Sequence, residues 1–574
     1  MRDWKYARLV FALGLPFGLA LPAAFAADPR PSAAQIDAIF APWSRSDSPG
    51  CALTALERGR VVYEHGYGMA DLSHDVAIAP GTPFDVGSVS KQFTAAALVL
   101  LAEQGKLSLA DDVHQYLPEL PDFHVRITID ELLHHTSGLR DQWDLLGLAG
   151  YRYALDLIND ADVMSLEVRQ RELNFSPGSN YLYSNTGYTL AARIVKRVSG
   201  QSLPQFAAEH IFKPLGMNHT HIRDDHSEVT KGEALGYERG SDAAFHLSVP
   251  NLDTVGPTFV YTTIEDLAKW DENFYTGTVG GSDFRQKMTQ IEPLTSGISN
   301  YARGLQLLKY RGLPIVEHGG IDAGYRAEFL QFPDQHFSVF TLCNTPTNPA
   351  VLSRRVADLY LAGRFPMATV QFHDNDSHIL SLSLTEGKEG FYRLRGFGNG
   401  VVIQLRMREG HLEIADRPEI VDRDSWQPLR SDGVGNFFPS TGVEYWHFEP
   451  TEGPAQHLLI ESEGRPASVW VHLPPYSPAL REQQEFVGRY YSDELDTTYT
   501  VDVRAEALFL SRKKFPAHEL ISIAADQFAS PLADNNPYQT LVEFARDANG
   551  RVDEMFVTTG RVSRLRFTRE TASH

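Results

Sequence analysis

Ser88, in the run FDVGSVSKQFTAAALVLL, is followed three residues later by Lys91. A serine hydroxyl is a weak nucleophile and needs a base beside it. Residues three apart on a helix share a face, so an amine at 91 can meet the hydroxyl at 88. Burial and a helix N-terminus both disfavour an ammonium, which would leave that amine partly neutral and able to take the serine proton. The same N-terminus would stabilise negative charge developing on an acyl carbonyl. The pair therefore predicts acyl transfer to serine. The spacing alone is weak, because Ser511 and Lys514 repeat it in a segment that reads as a β hairpin. An N-cap serine would also look like Ser88.

Two further motifs strengthen the reading. Tyr183-Ser184-Asn185 stands before a helical pattern, after the turn-rich run NFSPGSN, and His318-Gly319-Gly320 is read as the link between two strands. Each is the only match to Tyr-x-Asn or His-x-Gly in the chain. A tyrosine hydroxyl can relay a proton and an asparagine amide can orient a substrate. His134 and His135 read as satisfying backbone groups, and Arg326 as a surface arginine. There is no HExxH, no Gly-x-Ser-x-Gly, no P-loop and no paired Cys or His spacing, so neither a metal nor a cofactor is expected.

The elements that must position these residues alternate between two periodicities. Residues 32–43 carry a helical stripe of Ile36, Ile39, Phe40 and Trp43. Strands are predicted at 51–57 and 61–67 around a turn at Arg58-Gly59-Arg60, and again at 314–317, 327–332 and 336–343. Helices are predicted at 88–103, 184–198, 203–211 and 350–361. Strands at both ends with helices between suggest one antiparallel sheet built from the two extremes, an α+β arrangement. Beyond Pro366 the pattern is β: Val401, Ile403, Leu405 and Met407 alternate between turns at Asn399-Gly400 and Glu409-Gly410. A break at Pro474, Pro475 and Pro478 precedes a second β segment, in which Tyr499, Val501 and Val503 alternate. Two small antiparallel β domains, 366–480 and 481–574, are expected, with a faint repeat in their openings EGFYRL and FVGRYY.

At 574 residues the chain calls for several domains. Its net charge of −21, from 52 basic and 73 acidic residues, argues against nucleic acid and anionic membranes as partners. Residues 1–26 combine Arg2, Lys5 and Arg8, an apolar stretch over 9–21 and Ala24-Phe25-Ala26. That order is a secretory signal peptide, predicting a periplasmic or secreted protein without a membrane anchor after cleavage. Two cysteines, Cys51 and Cys343, exclude a disulfide framework and permit one bridge.

Taken together, the three motifs and the runs LLHHTSGL, IFKPLGMNHT, TTIEDLAKW and HGGIDAGYRAEFLQFPD make residues 31–363 resemble the superfamily of class C β-lactamases, DD-peptidases, D-aminopeptidases and related esterases. The resemblance implies that Ser88 becomes acylated while Lys91 and Tyr183 exchange protons, with either as the base. It also implies substrate contacts from Asn185 and from the strand His318-Gly319-Gly320-Ile321, with the backbone N–H groups of Ser88 and Ile321 as oxyanion hole. It implies a transpeptidase-like domain, residues 27–365, followed by two β barrels. In D-aminopeptidases of this plan a loop from a C-terminal barrel reaches the active site. His318 departs from the β-lactamase pattern, which has lysine there followed by threonine. The departure favours a D-stereospecific aminopeptidase acting on short peptides or amides, with a short-chain carboxylesterase as the alternative. A DD-carboxypeptidase, a true β-lactamase and a catalytically silent wall- or peptide-binding protein rank below both. The resemblance further places Cys51 and Cys343 on adjacent antiparallel strands, close enough for a bridge.

Overall fold

A computed structural model of the protein describes residues 30–570 apart from 241, 296, 367–381, 396–401, 409, 416–425, 432–434, 439–443, 463–466, 475, 477 and 531–539. The presequence, the Asn399-Gly400 turn, Glu409 and Pro475 lie outside the described residues.

The N-terminal part is built on a six-stranded antiparallel sheet. Its strands are β1 (Cys51–Glu57), β2 (Arg60–Tyr67), β3 (Gln306–Tyr310), β4 (Leu313–Asp322), β5 (Tyr325–Phe332) and β6 (Phe337–Cys343), in the spatial order β3-β4-β5-β6-β1-β2. The central strands β5 and β6 are buried at every residue, as strands covered on both faces must be. Alternation in β1 divides the core: Cys51, Leu53 and Ala55 face helices α1 (Ala33–Phe40) and α6 (Pro349–Tyr360), while Ala52 and Leu56 join the larger helical core on the other face. Cys51 stands directly opposite Cys343 in the β1–β6 ladder, and the two are disulfide-bonded. Thiol titration of the unfolded, unreduced protein should therefore find no free thiol; two titratable thiols would refute the pairing.

The helical core surrounds α2 (Lys91–Glu103), whose residues 91–101 are all buried. A helix apolar on every side belongs at the centre of a core, and this placement takes Lys91 out of water. Residues α3 (Gln142–Ala149), α4 (Asn185–Ser199) and α5 (Ile264–Thr276) complete the helices that matter here. His318-Gly319-Gly320 does not lie between strands, as the sequence suggested, but inside the ten-residue β4. The reason is steric: a Cβ at residue 320 would sit 1.9 Å from the Val86 carbonyl oxygen, so glycine here marks a close backbone approach, not a turn.

The C-terminal third forms two nine-stranded antiparallel sheets with one and the same strand order. In each, the first strand (Gly390–Leu394, Gly488–Ser492) pairs with the last (Ser468–Leu473, Val562–Arg569). The two sheet edges are consecutive in sequence, Trp426–Pro428 with Arg430–Ser431 and His518–Glu519 with Ile521–Ala524, which gives both a barrel-like form. Tyr392 and Tyr490 occupy equivalent places, each fully buried and each donating its hydroxyl over 2.8 Å to the carbonyl four residues earlier. The second barrel shares a core with the N-terminal part: Leu145, Leu146 and Leu148 of α3 pack among Tyr499, Leu510 and Phe567.

Candidate active site

Ser88 lies in a 3₁₀ turn, Gly87–Ser90, that leads into α2. From residue 82 to 101 it is the only side chain that is not buried. Gly87 makes this turn possible, with φ of +50° and room only for hydrogen: a Cβ there would stand 2.7 Å from the Ile321 nitrogen. The Asp85 carboxylate accepts the Gly87 N–H at 2.8 Å and braces the turn from behind.

Lys91 Nζ makes three contacts: Asn185 Oδ1 at 2.8 Å, the Pro257 carbonyl at 2.9 Å and Ser88 Oγ at 3.0 Å. The first two partners can only accept. In the neutral amine both hydrogens are committed to them, and the lone pair is left facing the serine hydroxyl. Burial favours that neutral form and holds the Lys91 pKa well below the ordinary lysine range; the Arg561 cation adds to the effect, against the opposing pull of Asp141 and Asp322. Burial raises the pKa of Tyr183, so its hydroxyl keeps its proton. The Ser88 hydroxyl works against that rise by hydrogen bonding to the phenol, and Lys91 Nζ is 4.8 Å from the centre of the Tyr183 ring. The arrangement can move a proton from serine to lysine and present a neutral phenol to a leaving group.

Asn185 begins α4, with its backbone N–H and its Nδ2 both donating to Asp141 Oδ2, at 2.6 and 2.8 Å. Asp141 thus fixes the amide so that its oxygen faces Lys91, leaving one amide hydrogen unspent.

A family model described as Beta-lactamase matches residues 36–362. The chain belongs to the Beta-lactamase family. It is a serine hydrolase of that family, and curated relatives match far beyond the family domain. A D-aminopeptidase of Brucella anthropi is 25% identical over 527 residues, covering 89% of this chain and 93% of the relative. One from Brucella canis is 25% identical over 523 residues, covering 88% and 92%. A penicillin-binding protein homologue from Pyrococcus abyssi has the same fold, with a TM-score of 0.52, 19% identity, and coverage of 76% of this chain and 99% of that one. A penicillin-binding protein from Bacillus halodurans, 23% identical, superposes over 57% of this chain and 99% of its own with a TM-score of 0.51.

Within this Beta-lactamase-family site the β4 residues separate. Gly320 lies under the nucleophile turn, and Ile321 sets its backbone nitrogen against Gly87 while its side chain is 53% exposed. A side chain at Gly319 would point the other way, toward Glu328 on the far face of the sheet. His318 is buried, and neither ring nitrogen is free. The Gly319 carbonyl can only accept, so Nδ1 carries the hydrogen and donates to it at 2.6 Å; Nε2 then accepts from the Tyr301 hydroxyl at 2.8 Å. Burial, with the Lys91 charge, pushes the His318 pKa down to about 3. His318 is therefore a neutral imidazole that props the Tyr301 hydroxyl.

His134 and His135 do bond backbone groups. His134 reaches the carbonyls of Asp130 and Gln290. His135 accepts the Ser184 N–H at 3.1 Å and packs its ring 4.1 Å from that of Tyr183, so it also positions the site. Arg326 is buried, not a surface residue, and caps the carbonyls of Ala323 and Tyr325. Lys514, of the second S-x-x-K, pairs with Asp156 at 3.0 Å. Asp141, Tyr301 and Arg561 escaped the sequence reading, being single residues of common type with no motif around them.

Proposed function

We propose that this chain hydrolyses amide bonds through an acyl-enzyme on Ser88 and prefers acyl groups from D-configured N-terminal residues. The observation that carries the first part is the commitment of two Lys91 contacts to acceptors, which leaves its lone pair on Ser88 Oγ. As Oγ bonds to the substrate carbonyl carbon, the serine proton passes to Lys91. The carbonyl oxygen takes the negative charge opposite the backbone N–H groups of Ser88 and Ile321. The C–N bond then breaks, the leaving amine taking the Tyr183 proton while Lys91 returns one to Tyr183. Water attacks the ester carbonyl and its proton goes to Lys91; as the bond from the acyl carbon to Oγ breaks, Lys91 returns that proton to Oγ, which restores the Ser88 hydroxyl and the neutral amine.

The D-aminopeptidase relatives, aligned through the C-terminal barrels as well as the catalytic part, support the choice of substrate. Export is part of the reading, supported by the presequence and by a disulfide of the kind that persists in oxidising compartments. Hydrolysis of D-alanine p-nitroanilide is expected to exceed that of the L-isomer at least about tenfold in kcat/KM and to vanish in Ser88→Ala. Turnover of p-nitrophenyl butyrate without D-selective amide cleavage would establish an esterase instead.

A further inference from the structure

The second barrel sends one hairpin turn into the catalytic cleft. Between the strands Val552–Thr559 and Val562–Arg569, the backbone of Arg561 is held on both sides. Its N–H donates to Asp144 Oδ2 at 2.9 Å, and its carbonyl accepts from Asn174 Nδ2 at 2.9 Å and from the Asp141 N–H at 3.3 Å. Ser563, two residues on, is gripped by Asn174 and Arg140.

The Arg561 side chain is different. Its guanidinium carbon lies 5.0 Å from the centre of the Tyr183 ring, and the side chain is 40% exposed. Among the described residues it donates no hydrogen bond. The nearest carboxylate oxygen, Asp141 Oδ2, is 3.7 Å away and already accepts two hydrogens from Asn185. So a rigidly mounted guanidinium, with its fork unspent, faces the cleft beside the proton-relay tyrosine. The β4 position where the β-lactamase pattern has a cation holds instead a neutral histidine with both nitrogens in use.

We propose that Arg561 is a specificity residue that binds a carboxylate of the substrate. That carboxylate is either the C-terminus of a short peptide's leaving group or an acidic side chain on the acyl residue. A guanidinium offers parallel N–H groups that match a carboxylate, and the ring beneath it keeps the cation in place. The proposal rests on the amide-hydrolase reading above and adds to it what the substrate carries beyond the scissile bond.

The test pairs substrates that differ only in that charge. D-Ala-Gly against D-Ala-Gly amide reports on the leaving group, and D-Glu p-nitroanilide against D-Gln p-nitroanilide on the acyl residue. In the intact protein one pair should favour its carboxylate member roughly tenfold or more in kcat/KM, mainly through KM. In Arg561→Met that ratio should fall toward one, and Arg561→Lys should restore part of it. No preference in either pair would overturn the proposal, as would a preference that survives Arg561→Met. An equal loss on both members, accompanied by a lower melting temperature, would reduce Arg561 to an anchor of the hairpin. Mono-p-nitrophenyl glutarate against p-nitrophenyl butyrate separates the two readings. A carboxylate preference there, dependent on Arg561, with no amide turned over, would retire the aminopeptidase reading and keep the role of Arg561.

Discussion

Replacing Lys91 with methionine is expected to lower kcat/KM by at least about a thousandfold, with the loss in kcat. Methionine matches the length of the side chain but offers no lone pair to Ser88. Labelling of Ser88 by a fluorophosphonate should slow in parallel, because it needs the same proton transfer; labelling at the parent rate would show that Lys91 is not the base. The pH dependence follows from the direction of the lysine shift. Lys91 must be neutral to accept a proton, so activity rises with pH through its folded-state pKa. Burial and Arg561 place that value well below the ordinary 10.5, with Asp141 and Asp322 opposing. The rising limb should therefore lie on the acid side of a free lysine. Removing the cation in Arg561→Met should move it to higher pH, and Asp141→Asn should move it lower. Tyr183 cannot produce this limb, since its pKa is shifted upward. A limb unmoved by either change would mean that another group controls it.

What could be read in the sequence was whatever local pattern controls. The apolar run after Lys91 specifies a helix buried on all sides, and the buried N-terminal amine follows from that. The first and last strands of the sheet were legible because both alternate or run apolar between clear turns: Arg58 and Gly59 have φ of +53° and +70°, the geometry of a two-residue hairpin. His318-Gly319-Gly320 was misplaced because consecutive glycines ordinarily signal a turn. Here the absent Cβ at Gly320 serves contact with Val86, which only the tertiary structure reveals. Asp141 shows the limit more sharply. Its local pattern says helix N-cap, and it does accept the Trp143 N–H at 3.0 Å. Its other oxygen orients Asn185, and nothing in the neighbouring residues encodes that. Arg561 belongs to another domain, so no spacing rule connects it with Tyr183.

Glu494→Gln is expected to be among the most destabilising single changes in the chain, although it lies in the second barrel and away from the chemistry. Glu494 and Arg140 form a salt bridge of 2.7 Å with side chains only 3% and 1% exposed. Glu494 Oε2 also accepts the Arg171 N–H at 2.9 Å, while Arg140 reaches Gln170 Oε1 at 3.0 Å and the Ser563 carbonyl at 2.9 Å. The pair thus ties the barrel to the segment that ends in Asp141. Removing one member of a buried pair strands the other charge and costs about 3–5 kcal/mol. At about 2–4 °C per kcal/mol for a large domain, the apparent melting temperature should fall by roughly 6–20 °C. Replacing both members, as in Arg140→Met with Glu494→Leu, should recover part of that loss, because no unpaired charge remains. Additive losses in the double variant would show that the two residues do not act as a pair. Because Ser563 follows Arg561 by two residues, the single change should also loosen the hairpin. Partial loss of activity at temperatures below the melting transition would then report the barrel's hold on the site, since Glu494 itself touches none of the reacting groups. Activity fully retained up to the transition would separate the fastening of the barrel from the placement of Arg561.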